Sequence, residues 1–180
     1  VAVVILDRDG VINRDRPDFI KSPREWRPLP GSLDAIARLC AAGYLVAVAS
    51  NQSGIGRGLF GLSDLDAIHG KMLAAVAAAG GRISALEYCP HRPEDDCDCR
   101  KPRPGLLRRI GIRLGSDLAG VPCIGDSLRD IQAAEAVGAR PILVLTGNGR
   151  RTMDGPLPSS VEIFEDLAAA ADSLIGERLK

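Results

Sequence analysis

Aromatic side chains are scarce in this sequence: three Phe, two Tyr and one Trp in 180 residues. The core must therefore be aliphatic, drawn from Val, Ile, Leu and Ala within the 46% of residues that are hydrophobic. Net charge is missing too, with 23 basic residues balanced by 23 acidic ones. Without a basic excess or stripe, no nucleic-acid partner is expected. No apolar run approaches the roughly 18 residues of a membrane span, so no membrane association is expected either. The chain opens on VAVVIL without a basic leader or small-residue cleavage site, which predicts a cytoplasmic protein with no secretory signal. Five cysteines are an odd number. Cys89, Cys97 and Cys99 crowd together with His91, while Cys40 and Cys123 stand apart. That distribution suits a metal in a reducing compartment better than a disulfide framework.

The remaining composition, with 26% charged residues, is that of an ordinary globular chain and excludes disorder. Its length predicts one domain over residues 1–180. Five short apolar segments have strand length: Ala2–Leu6, Leu45–Ala49, Ala85–Tyr88, Val121–Ile124 and Pro141–Leu145. Most are continuous rather than alternating, as in strands buried on both faces of a parallel sheet. Helical patterns lie between and after them, at Ser32–Ala42, Ser63–Ala79, Pro104–Leu114, Ser127–Val137 and about Phe164 to Leu174. The second opens with Ser63-x-x-Asp66, a capping-box pattern. Arg150–Ser160 reads as a surface loop. Alternation of strand and helix predicts an α/β, doubly wound, Rossmann-like parallel sheet. Ligands of such sheets sit beyond the carboxyl ends of the strands.

The residues just past each strand are informative. After Leu6 comes Asp7-Arg8-Asp9-Gly10, after Ala49 Ser50-Asn51-Gln52-Ser53, after Tyr88 Cys89-Pro90-His91, and after Ile124 Gly125-Asp126. An aspartate that ends a strand in an Asx-turn is commonplace. Two carboxylates flanking one residue can also serve as nucleophile and general acid/base. DRDGVIN, Ser50, Lys101 in RKPRP, and Asp126 with Asp130 in GDSLRD together resemble the haloacid dehalogenase superfamily of phosphohydrolases.

The chemistry is consistent with that resemblance. A carboxylate approaching a phosphate dianion is repelled by about 4 kcal/mol per unit pair at 4 Å and an effective dielectric of 20. Asp126 adds to the repulsion, so the cluster needs a cation, and Mg²⁺ suits carboxylates and phosphate oxygens. Lys101 brings a further positive charge. The Ser50 hydroxyl and Asn51 N–H are candidate donors to the phosphoryl oxygens. Asp130, one helical turn after Asp126, either orients Lys101 or a metal-bound water, or faces solvent. Cys89-x-His91-x5-Cys97-x-Cys99 has the ligand density of a closed, structural zinc site. Zinc there would organise a loop that has no core of its own, and Arg100 and Lys101 come directly after it.

The run C-P-H-x-P…C-D-C-R-K-P, with DRDGVIN and NQSGIGRG, resembles the bacterial D-glycero-D-manno-heptose 1,7-bisphosphate phosphatases. The histidinol-phosphate phosphatases share the zinc loop. The resemblance implies a Mg²⁺-dependent phosphomonoester hydrolase that removes the 7-phosphate through an aspartyl-phosphate, in ADP-heptose and lipopolysaccharide core precursor biosynthesis. It implies Asp7 as nucleophile, Asp9 as proton donor, and Asp7, Asp9 (by its carbonyl) and Asp126 as Mg²⁺ ligands. Ser50 and Lys101 would stabilise the phosphoryl group and Arg100 would help to recognise the substrate. Asp15 to Asp18 and Ser50 to Ser53, hence Asp15, Asp18, Asn51, Gln52 and Ser53, would line the sugar side. Ser127 stands where some members have Lys.

The stretches Asp9–Ser32 and Ala79–Lys101 are too short for a large cap domain, which predicts an open site. Specificity then falls to the loops Arg14–Pro28, Gly54–Gly61 and Cys89–Arg103. Arg57 and Arg100 are candidates for a distal phosphate, although Arg57 could equally be a solvated loop residue. His69 reads as a surface or boundary histidine, Cys40 and Cys123 as small core residues, and Trp26 as either a lining or an anchoring residue. The alternatives are a histidinol-phosphate phosphatase, a phosphoacceptor signalling domain, and a non-catalytic zinc-stabilised module. A monomer is expected, since no association motif is apparent.

Overall fold

The computed structural model describes residues 1–180. In chain order its elements are β1 (Ala2–Leu6), α1 (Ser32–Ala41), β2 (Tyr44–Asn51), α2 (Ser53–Gly56), α3 (Leu62–Ala78), β3 (Ile83–Cys89), α4 (Gly105–Leu114), β4 (Pro122–Gly125), α5 (Leu128–Glu135), β5 (Arg140–Val144), α6 (Gly149–Met153), β6 (Glu162–Phe164) and α7 (Leu167–Arg178). The six strands form one sheet in the order β3-β2-β1-β4-β5-β6, every pair parallel. The order reverses between β1 and β4, and such a switch point opens a crevice at the strand ends.

The five expected strands and five longer helices are all present, with ends shifted by a few residues. Side chains alternate across the pleat. Val4, Leu6, Val46 and Val48 enter the core packed by α1, α3 and α7. Val3, Ile5, Ala47 and Ala49 enter the core under α4 and α5. On that second face Ala47, Ala49, Ala85, Ala133 and Ala134 are all small and buried, so helix and sheet backbones can approach closely.

Several expectations change. The strand β6 and the helix α6 interrupt stretches that carry no periodic signal. β6 is three residues long at the sheet edge, with Ile163 exposed, and α6 occupies the start of the expected loop. The helix α3 starts one residue early, and Asp64 rather than Asp66 accepts the Gly61 N–H at 2.8 Å. His69 is buried at 5% exposure instead of lying at the surface or boundary. Trp26 is an anchor: at 1% exposure it packs in the core beneath the β1–α1 connection. Lys71 tethers that connection by donating to the carbonyls of Pro23 and Trp26.

Candidate active site

Lys101 is the centre of the charge arrangement. It leaves the loop after β3 and reaches back under the sheet rim, 4% exposed. Its Nζ donates to Asp7 Oδ1 (3.0 Å), Asp130 Oδ1 (2.7 Å) and the Ala49 carbonyl (2.6 Å). Burial disfavours the ammonium, but Asp130 and Asp7 together outweigh it, and the Lys101 pKa is raised. Asp130 is therefore no solvent-facing residue. Its Oδ2 accepts the N–H groups of Asp126 and Ser127 and the Ser127 hydroxyl. With burial opposing it, Lys101 and these donors hold its pKa low. Ser127 thus contributes its hydroxyl to the start of α5 and carries no charge.

Asp126 and Asp7 are less fully compensated: Asp7 shares Lys101 with Asp130, and Asp126 has no cationic partner within ion-pair distance. Burial, then Asp130, pushes Asp126 up to about 7. Burial and the same neighbour push Asp7 well above the usual carboxylate range, against the pull of Lys101. Oxygens of Asp7, Asp126 and Asp130 lie within 4.8 Å of one another. Asp130 has both oxygens occupied. Asp7 takes its hydrogen bonds on Oδ1 and Asp126 on Oδ2, which leaves one oxygen of each free. The Asp9 carbonyl accepts no backbone hydrogen bond. Hard oxygen donors around an excess of buried negative charge fit a divalent cation such as Mg²⁺. Gly10 and Gly147 both have positive φ, and a Cβ on either would strike the Asp126 carboxylate, so two turns that only glycine fills close this wall.

The raised Asp126 pKa makes the cation site sensitive to pH. In the folded protein Asp126 binds its proton up to about pH 7, whereas unfolded it releases it near pH 4. The metal-free protein therefore loses this contribution to stability as pH rises from about 4 through 7. Mg²⁺ binds the deprotonated form, so the Tm increase produced by saturating Mg²⁺ is expected to grow between about pH 5.5 and pH 8. A pH-independent increase in thermal melts would remove Asp126 from the cation site.

Asp9 lies apart from that cluster. Arg8, 0% exposed, donates Nε and NH2 to its two oxygens (3.0 and 3.1 Å). Asn13 and Gln52 add 2.9 Å bonds. Each oxygen thus accepts two protein donors, so an oxygen can take up a proton only when Asn13 or Gln52 gives way. The side chain borders the cleft, and the carbonyl is the atom it can offer a cation. Gln52 is 2% exposed and also bonds Ser50 Oγ at 2.7 Å. Gln52 does not line the cleft as expected; it holds Asp9 and Ser50. Ser50 is fully buried and, like Gln52, lies beneath the cleft and not on its lining as expected; while its oxygen accepts from Gln52 its own hydrogen is available to donate.

The cleft above has a volume of about 270 Å³. Asp15, Asn51, Ser53, Arg57 and Arg100 line it. Asp18 does not: it faces solvent, paired with Arg16 and Lys21. Arg16 of the same turn borders the cleft, its guanidinium held by Asp18. Arg129 and Asn148 also line the cleft, and neither stands out in the sequence. Arg129 sits on the first turn of α5, next to the acidic motif, so its helical offset from Asp126 is the available signal. Arg57, Arg100 and Arg129 have no carboxylate partner among the ion pairs. Burial, then Arg129, lowers the Arg100 pKa, and its NH1 is buried without a partner. Three guanidinium groups at one edge, one of them aimed at nothing, fit an anion.

The cysteine loop lies alongside. Sγ of Cys89 is 3.1 Å from that of Cys99 and 3.6 Å from that of Cys97, and His91 Nδ1 is 3.3 Å from Cys89 and Cys99. A tetrahedral zinc with Zn–S bonds of about 2.3 Å has S–S edges of about 3.8 Å. The cluster therefore fits zinc with little adjustment, and its cysteines are all free thiols. Burial pushes the Cys89 and Cys99 thiols up, whereas, with burial opposing it, the Arg100 N–H and neighbouring thiols bring Cys97 down to about 7, so a metal would displace the protons of the first two and find Cys97 nearest the thiolate. Two residues beyond the last cysteine, Lys101 is clasped by Asn51, whose side chain bonds both its N–H and its carbonyl at 3.0 Å.

Comparison with known proteins places this geometry. Residues 98–170 match a family model described as "HAD-hyrolase-like". The chain is 56% identical over 176 residues to the D-glycero-beta-D-manno-heptose-1,7-bisphosphate 7-phosphatase of Bordetella bronchiseptica, covering 97% of this chain and 98% of that one. It is 53% identical over 174 residues to the enzyme of the same name from Pseudomonas aeruginosa, covering 97% and 98%. The crystal structure of the B. bronchiseptica D,D-heptose 1,7-bisphosphate phosphatase with magnesium and phosphate superposes with a TM-score of 0.96 at 55% identity, covering 98% of this chain and 99% of that one. An acidic rim with free carboxylate oxygens, a buried lysine and a Cys3His loop are therefore features of a chain that belongs to the heptose 1,7-bisphosphate 7-phosphatase family of haloacid dehalogenase-like hydrolases.

Proposed function

We propose that this protein hydrolyses the 7-phosphate of D-glycero-β-D-manno-heptose 1,7-bisphosphate, with residues 1–180 acting as one catalytic unit. The observation that carries the reading is the convergence of Asp7, Asp126 and Lys101 at the ends of β1 and β4, beside an unpaired arginine edge. Asp7 attacks phosphorus through Oδ2, which accepts no hydrogen bond, and becomes the aspartyl-phosphate, while Oδ1, shared with Lys101, is the oxygen it would offer the cation. Lys101, its three N–H donors held by Asp7, Asp130 and the Ala49 carbonyl, supplies positive charge beside the phosphoryl oxygens, and the Ser50 hydroxyl donates to them where charge develops. Asp9 protonates the departing sugar oxygen, then takes a proton from the water that cleaves the intermediate. Asp7, Asp126 and the Asp9 carbonyl would hold Mg²⁺, which supplies charge neutralisation for the phosphoryl oxygens. The Cys89-His91-Cys97-Cys99 zinc site holds the segment that presents Arg100 and Lys101.

Arg57, Arg100 and Arg129 receive the 1-phosphate, while Asp15, Asn51 and Ser53 face the sugar hydroxyls. The β anomer is chosen because the 53% and 56% identical relatives carry it in their names. A small phosphorylated sugar is the partner, and the chain acts as a monomer in the cytoplasm. No helix is long and apolar enough to cross a membrane.

The test is kcat/KM with Mg²⁺ for both heptose bisphosphate anomers and for histidinol phosphate. A preference for the β anomer is expected. A histidinol-phosphate preference would retain the catalytic roles and discard the substrate.

A further inference from the structure

Arg8 is completely buried, and its guanidinium meets two groups. One edge forms the two-pronged contact with Asp9. The remaining terminal nitrogen, NH1, lies 3.2 Å from His69 Nε2. A guanidinium is a donor only, so Nε2 must carry a lone pair and the ring proton must sit on Nδ1. The surroundings agree: burial, then the Arg8 charge, lowers the His69 pKa to about 4. The ring has little freedom. It is carried by α3 between buried Ile68 and Met72 and packs against Tyr88, ring centres 5.9 Å apart. A carboxylate at this place would draw Arg8 away from Asp9, and a cation would repel it. A neutral acceptor does neither.

We propose that His69 is a positioning residue for catalysis, holding the Arg8 guanidinium so that Arg8 fixes the plane and direction of the Asp9 carboxyl group. The proposal rests on Asp9 acting as the general acid. Displacements of an ångström or less in a group that must meet a leaving oxygen cost up to about 100-fold in rate. A sugar alkoxide needs that proton to leave, whereas p-nitrophenolate leaves without it.

The experiment is single-turnover release of the first product from the heptose bisphosphate and from p-nitrophenyl phosphate, with full-length His69→Phe, His69→Gln and Asp9→Asn. His69→Phe keeps the ring packing and removes the acceptor. It is expected to slow heptose release about 30-fold and nitrophenolate release by no more than about threefold. His69→Gln, which can again accept from Arg8, is expected to recover most of the difference. Asp9→Asn should show the same selectivity more strongly. Equal slowing of both substrates in His69→Phe, with Asp9→Asn still selective, would overturn the role of His69 alone. Loss of selectivity in Asp9→Asn would overturn the general-acid reading and this proposal with it. Should His69→Phe not fold, nitrogen NMR of the wild-type protein decides, because His91 is its sole other histidine. An Nε2 that carries a hydrogen at neutral pH cannot accept from Arg8 and would overturn the proposal.

Discussion

Asp7→Asn is expected to reduce kcat by about 10⁴- to 10⁶-fold, the scale seen when a covalent nucleophile is removed. An amide oxygen is a poor nucleophile towards phosphorus, and no other free carboxylate oxygen occupies the end of β1. The variant is expected to fold, and to melt higher than the wild type in metal-free buffer at about pH 7. Burial and the carboxylates of Asp130, Asp126 and Asp9 all oppose the charge on Asp7, so a neutral isostere relieves more than it removes. Lys101 retains Asp130 and the Ala49 carbonyl as partners. With saturating Mg²⁺ the order should reverse, since the variant has lost a ligand. Phosphate-release assays and thermal melts with and without Mg²⁺ check both arms. A variant retaining more than about a hundredth of wild-type kcat would place the nucleophile elsewhere.

Lys101→Met carries the second large effect, on rate and stability together. Loss of a preorganised cation beside the phosphoryl group costs about 10²- to 10³-fold in kcat. Removing one member of a buried ion pair leaves an uncompensated charge and costs about 3–5 kcal/mol. The pH dependence separates this from simple loss of packing. In the wild type, Asp130 has a lowered pKa with Lys101 and hydrogen-bond donors opposing burial, so its contribution is present above the unfolded carboxylate pKa and fades as pH falls. Without Lys101 that contribution shrinks, and ionised Asp130 and Asp7 face each other. The stability deficit is therefore expected to be larger at about pH 8 than at about pH 5, where protonation relieves the variant. Urea unfolding at the two pH values measures it, and an equal deficit would mean that the ion pairs contribute little.

Much of the rim is legible because it obeys local rules. Buried strands read as continuous apolar runs, and the residues next in sequence land on one edge of a parallel sheet. That logic reaches Asp7, Asp9, Ser50 and Asp126 without any tertiary information. The Cys3His cluster is legible through density, since thiols and an imidazole crowd one short loop. Arg129, Gln52 and His69 obey a different logic. Whether Gln52 faces the cleft or turns beneath it depends on where the Asp9 carboxylate sits, 43 residues away in sequence. His69 lies on a helix that is apolar and alanine-rich on most sides, so periodicity cannot tell its inward face. Its partner Arg8 is 61 residues away. Asp18 escapes a correct placement because a four-residue turn carries no period from which side-chain direction can be read.

The solitary tryptophan gives the molecule a built-in optical reporter. Trp26 is sealed in the core at the base of the segment that carries Asp15, Arg16 and Phe19, with the Lys71 ammonium 5.8 Å from its ring centre. Its fluorescence should be blue-shifted in the native protein. Any event that lifts this segment off the sheet transfers the indole from hydrocarbon to water. With no second indole to blur the signal, a shift to longer wavelength would report that lifting in real time, before any global loss of secondary structure.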